Sequence, residues 1–112
     1  MTHWRAVKHL IRYLKGTIDY KLTYSPSSDN KLFTSYTDTD HTGCPDTGRS
    51  TSGYVIKMGS GAISWSSRLQ TIVALSTTKA EFVAAISAGQ EILWLRNLLL
   101  EFGYEHSSAS KL

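Results

Sequence analysis

The sequence predicts an α+β fold: an amphipathic helix, three to four antiparallel strands, and a long closing helix. Three observations carry that expectation. Apolar residues recur every three or four positions over residues 3–15 and again over 78–102. Between them, short apolar and β-branched runs read as strands. Gly, Pro and Asp interrupt those runs where turns are needed. With 112 residues, 41% of them hydrophobic and 19% charged, the chain can build the core of one small domain or of an incomplete one. A multidomain enzyme and a disordered chain are excluded.

Trp4, Val7, Leu10, Ile11 and Leu14 form the apolar stripe of the first helix, Arg5, Lys8, Arg12 and Lys15 fill its other faces, and Gly16 supplies its stop. Residues 20–24 suit a short strand, and residues 25–30, with Pro26, a loop. Residues 32–37 alternate as a strand that Asp38 closes, and the Gly-, Pro- and Asp-bearing stretch 38–49 is a loop. Strands are expected over 52–57 and 62–66, joined by a hairpin through Gly59-Ser60-Gly61. Residues 71–75 suit either a fourth strand or the entry to the long helix. Ser76-Thr77-Thr78 offers capping hydroxyls for a helix over 78–102 that Gly103 ends, with Gly89 a site for a bend.

The net charge is +3, and its distribution is uneven. Arg5, Lys8, Arg12, Lys15 and Lys21 face only Asp19 within residues 1–21, so the whole positive excess lies at the start. A basic end on a nearly neutral body suits an anionic partner, nucleic acid above all; a solvated helix face is the plainer reading. The longest uncharged stretches, 58–67 and 69–78, are rich in Gly, Ser and Thr, so neither a membrane span nor a signal leader is expected. One cysteine, Cys44, makes no internal disulfide, and a reducing compartment follows.

Candidate chemistry is carboxylate chemistry. Helical spacing puts Ala84, Ala85, Ala88, Ile92, Leu95 and Leu99 on one arc, with Glu81 in its middle. An ionised carboxylate facing a core needs a partner or a metal, although in the first turn it also serves the helix dipole. Asp38, with Asp40 and Asp46 nearby, sits at a strand's lip, where loop acids are either simply solvated or oxygen ligands for Mg²⁺. Nucleophile-elbow, phosphate-loop and zinc-protease motifs are absent. His3, His9, His41 and Cys44 lack the spacing or partners of a ligand set or nucleophile, and Tyr54, Trp65 and Trp94 read as core.

These residues carry a resemblance. Tyr36-Thr37-Asp38-Thr39-Asp40, Gly43, Arg49-Ser50-Thr51-Ser52-Gly53-Tyr54 and Ile63-Ser64-Trp65-Ser66-Ser67 occur in the order seen in the RNase H domain of copia-type LTR retrotransposon polyproteins. Val73-Ala74-Leu75-Ser76-Thr77-Thr78-Lys79-Ala80-Glu81-Phe82 and Ile92-Leu93-Trp94-Leu95-Arg96 continue it. His3-Trp4-Arg5-Ala6-Val7-Lys8 and Arg12-Tyr13-Leu14-Lys15-Gly16-Thr17 resemble the segment that connects reverse transcriptase to that domain.

The resemblance implies a connection segment over 1–30 and a partial, RNase H-like domain over 31–112, cutting RNA in RNA–DNA hybrids. It implies Asp38 and Glu81 as catalytic and metal-ligating residues of a site that holds two Mg²⁺ ions in the family. Lys79 stands where the family often has a second acid, and the family's later carboxylates match nothing here. Weak or absent Mg²⁺ binding and an inactive isolated chain are therefore expected. The alternative is a non-catalytic nucleic-acid-binding or interaction module that uses Arg5, Lys8, Arg12 and Lys15. Further expectations are converging Asp38 and Glu81 carboxylates, an open strand edge at 32–37 that invites self-association, and partnership with the rest of the polyprotein. The expected location is cytoplasmic or in a virus-like particle, and peroxisomal only if Ser110-Lys111-Leu112 is a genuine address.

Overall fold

A computed structural model describes residues 2–28 and 30–105, so Ser110-Lys111-Leu112 lies outside the described residues. The order is α1 (Thr2–Gly16), β1 (Thr34–Asp40), β2 (Thr51–Met58), β3 (Gly61–Leu69) and α2 (Thr77–Glu101). The strands form one antiparallel sheet in the order β1-β2-β3, so the fold is α+β, with α2 packed on β1 and β2.

The hairpin lies where the glycines predict it. Met58 pairs with Gly61, leaving Gly59-Ser60 as a two-residue turn. Positive φ at its first position (63°) is the type II′ arrangement that favours Gly, and a Cβ on Gly59 would lie 2.8 Å from the Ser25 carbonyl oxygen. Ser25 is tied to this turn: its N–H donates to Ser60 Oγ at 2.8 Å, and its carbonyl accepts the Ser60 N–H at 3.2 Å.

Cross-strand pairing decides which side chains meet α2. Ser35 pairs with Ile56, and Ile56 with Ser64, whose hydroxyl donates to Glu91 of α2 at 2.8 Å. That face holds the core: Leu32, Phe33, Ile56 and Ile92, surrounded by Tyr54, Met58, Ile63, Leu95 and Leu99. Ala80, Ala84 and Ala88 are buried along one line of α2, and their small side chains allow the helix close to the sheet. Ser76 caps α2 by accepting the Lys79 N–H at 3.2 Å, and Gly103 ends it at φ 81°. The helix runs unbroken through Gly89.

Several expectations need correction. Residues 20–24 and 71–75 are not strands, because neither finds a neighbour with which to pair. β1 begins later than expected and continues through Asp38 to Asp40. Trp65 and Trp94 are not core: Trp65 lies on the sheet face away from α2, Trp94 on a flank of α2, and both are more than half exposed. The apolar stripe of α1 is not buried either, because α1 packs against no other element. Glu81 is exposed, one helical step from the buried alanine line.

Candidate functional site

Asp38 is exposed near the end of β1 and pairs with Gly53. Residues paired directly across antiparallel strands share a face. Asp38 therefore leaves β1 on the face turned from α2, whereas its neighbour Thr39, paired with Ser52, lies beneath the helix. Its Oδ1 accepts the Thr39 N–H at 2.8 Å. Glu81 projects from the start of α2. Asp38 thus lies on the sheet face turned from α2, and Glu81 is exposed on the helix that packs on the other face.

They nevertheless share one end of the sheet, and Gln70 is the reason. Its side-chain amide donates to Ser52 Oγ at 2.6 Å and to the Ala80 carbonyl at 2.9 Å. Ser52 pairs with Thr39, next to Asp38, and Ala80 precedes Glu81. One buried side chain therefore ties the Asp38 end of the sheet to the Glu81 end of α2. Thr39 Oγ1 and Gln70 Oε1 are buried here without a hydrogen-bond partner. Sequence reasoning missed Gln70, since a single glutamine between two strand-like runs carries no periodic signal.

The connection after β1 is ordered by Ser50, which is fully buried. Its hydroxyl accepts the Thr42 N–H at 3.2 Å and lies 3.2 Å from His41 Nδ1, so His41 has a structural partner. Gly43 lies against Asp40, where a Cβ would overlap the carboxylate. Cys44 is half-buried in this loop. Hydrogen bonds from the Thr47 side chain, then from the Thr47 and Asp46 backbone, hold its thiol below the ordinary value. Among the described residues, no three His, Cys, Asp or Glu side chains gather to hold a metal ion.

Arg5, Lys8, Arg12 and Lys15 are all exposed on α1. At about 100° per residue they occupy one continuous arc beside the apolar stripe. Lys8 Nζ lies 5.3 Å from the centre of the Trp4 ring. Arg5, Lys8, His9 and Arg12 line a shallow groove. The structure brings these cations together but not to Asp38 or Glu81, since α1 touches neither sheet nor α2. No helix among the described residues is long and apolar enough to cross a membrane.

Comparison with known proteins gives consistent relatives. The chain is 46% identical over 101 residues, 90% of its length, to the retrovirus-related Pol polyprotein from transposon TNT 1-94 of Nicotiana tabacum. It is 37% identical over 105 residues, 94% of its length, to the Pol polyprotein from transposon RE2 of Arabidopsis thaliana. It spans 8% and 7% of those two proteins. It is also 44% identical over 94 residues, 84% of its length, to the secreted RxLR effector protein 161 of Plasmopara viticola, of which it spans 66%. No family model matches the chain, and no solved structure matches it.

Proposed function

This chain is a homologue of the copia-type retrotransposon Pol polyproteins, and we propose that it carries the Asp38- and Glu81-bearing part of an RNase H-like domain over 31–112, preceded by a connection segment over 1–30. The activity this assigns to the polyprotein is cleavage of RNA in RNA–DNA hybrids, in the cytoplasm or a virus-like particle. The observation that carries the reading is the Gln70 bridge, which ties the strand end bearing Asp38 to the helix start bearing Glu81. Carboxylate oxygens are the hard ligands Mg²⁺ takes, and two such ions, when bound, supply an activated water and stabilise the leaving oxygen. Among the described residues no third His, Cys, Asp or Glu joins these two carboxylates, so no hydrolytic step is assigned to the isolated chain.

What this chain's own residues do on this reading is hold nucleic acid. Arg5, Lys8, Arg12 and Lys15 grip phosphates without reading sequence, the contact that fixes register rather than specificity. The same exposed arc favours a second reading, a non-catalytic nucleic-acid-binding module, in which Asp38 and Glu81 have no role. The two separate in one experiment. This chain replaces the matching segment of the Nicotiana polyprotein, and Mg²⁺-dependent hybrid cleavage is measured. The RNase H reading expects cleavage that Asp38→Asn and Glu81→Gln each abolish. Cleavage that survives both substitutions refutes it.

A further inference from the structure

We propose that the sheet face no described element covers is the seat of α1 from a second copy of this chain, the two copies exchanging α1 reciprocally. On that face Tyr36, Val55 and Trp65 pair across all three strands in one apolar row, with Tyr36 60% and Trp65 64% exposed. The adjoining row is Asp38, Gly53 and Ser67, and Asp40 lies on the row after it. Gly53 carries no side chain, so a shallow apolar trough runs beside Val55 and Trp65. The face is therefore an apolar band with Asp38 and Asp40 on one border and Lys57, paired with Thr34 and Ala62, on the other.

α1 presents the complement. Trp4, Val7, Leu10, Ile11 and Leu14 are between 44% and 57% exposed, a contiguous stripe rather than the scattered apolar residues of an ordinary surface. At about 100° per residue, Lys8 and Lys15 border that stripe on one side, with Arg5 and Arg12 just beyond. An apolar band with one basic border thus meets an apolar band that is acidic on one side. The dimensions agree as well. Two interstrand spacings from β1 to β3 make about 10 Å, and the seven-residue step from Trp4 to Ile11 rises about 10 Å along a helix.

The second copy is the occupant these contacts favour. α1 makes no contact with its own sheet, and the chain entering β1 is fastened at the far end of that sheet. There Ser25 bonds to Ser60, and the Tyr24 hydroxyl donates to the Ala62 carbonyl at 2.8 Å. Asp40 pairs with Thr51 at the opposite end, away from the Gly59-Ser60 turn. Reciprocal exchange makes the contact twice, which brings the buried total towards the ~1,200–2,000 Å² of a stable interface. The other exposed apolar stripe, Phe82, Ile86, Leu93 and Leu100 on the back of α2, has Lys79 and Arg96 along it and Glu101 only at its end. It lacks the acidic border that the sheet face presents to the cations of α1.

The test is sedimentation equilibrium of the 112-residue chain and two variants, Ile11→Asp in α1 and Trp65→Lys on the sheet. Both positions are exposed, and an unchanged circular dichroism spectrum verifies that the body of each variant stays folded. The wild type is expected to be a dimer, and each variant should weaken association by at least about tenfold. Mixing the two variants should restore a heterodimer, because an intact α1 then faces an intact sheet once. A wild type that stays monomeric overturns the proposal, whether its own α1, nucleic acid or another protein takes the face. A dimer that persists in both variants overturns it in favour of pairing along the β1 edge, and a mixture that remains monomeric refutes the exchange.

Discussion

Replacing Arg5, Lys8, Arg12 and Lys15 together by Gln removes the exposed cationic arc of α1 while leaving its apolar stripe and helical spacing unchanged. If each cation meets one phosphate, four counterions are released on binding, and log K should fall with log salt at a slope of about −3.6. Raising NaCl from about 50 to about 200 mM then weakens binding by roughly 150-fold. The assay is fluorescence anisotropy of a labelled RNA–DNA hybrid across a salt series. Each single Gln substitution should reduce the slope by about 0.9, and the quadruple variant should bring it near zero. The same series on the unsubstituted chain also tests the dimer: with α1 laid across the strands, one of Lys8 and Lys15 meets Asp38 on the partner's β1, and three cations remain for phosphates. The slope should then fall towards about −2.7 at protein concentrations that favour association. A wild-type slope shallower than about −1, or a slope unchanged in the quadruple variant, refutes the assignment of phosphate contacts to α1.

Two further outcomes follow from the packing and from the loop. Ile56 is fully buried in the middle strand, so Ile56→Ala should cost about 2–5 kcal/mol of a total near 5–15 kcal/mol. That is a fall in Tm of at least roughly 10 °C in calorimetry, against almost none for Trp94→Ser on an exposed flank of α2. Cys44, whose thiolate is favoured by the hydrogen bonds of Thr47, should react with iodoacetamide with a midpoint at lower pH than free cysteine. Thr47→Val should move that midpoint up, and an unchanged midpoint would count against the side-chain bond as its main cause.

What the sequence made legible follows from how many physical demands a residue answers. Gly59 and Gly103 answer a backbone demand that few other residues meet, and both occupy positive φ where a turn and a helix end were expected. Ser76 answers a capping demand in the same local way. Burial was less legible, because it depends on what an element packs against. The stripe of α1 is as apolar as a core stripe, yet nothing among the described residues covers it. α2 has a second apolar stripe through Phe82, Ile86, Leu93 and Leu100, so its periodicity could not by itself decide which face meets the sheet. Glu81 is expected among core residues when the arc through Ala84, Ala88 and Ile92 is drawn straight along the helix, whereas the buried line runs obliquely from Ala80 through Ala84 and Ala88 to Ile92 and passes Glu81 by. Asp38 shows the other limit. Its place on β1 was near the expected one, but the face it leaves by is set by the pairing with Gly53, and a shift of one position reverses the face.

The acidic border of the sheet and the basic border of α1 connect the proposals thermodynamically. A hybrid's phosphates and a partner's Asp38 and Asp40 present the same kind of charge to Lys8 and Lys15. Occupancy by one therefore opposes the other, and linkage makes the opposition reciprocal: whatever factor dimerisation takes from hybrid affinity, the hybrid takes from dimerisation. Asp38 stands on the face that the exchanged helix would cover, so the dimer also shields the carboxylate that the RNase H reading needs exposed. In that reading the self-associated chain is a closed form. Nucleic acid, by drawing α1 from the sheet, frees its own binding surface and uncovers Asp38 in one step, because a single helix carries the cations for both contacts.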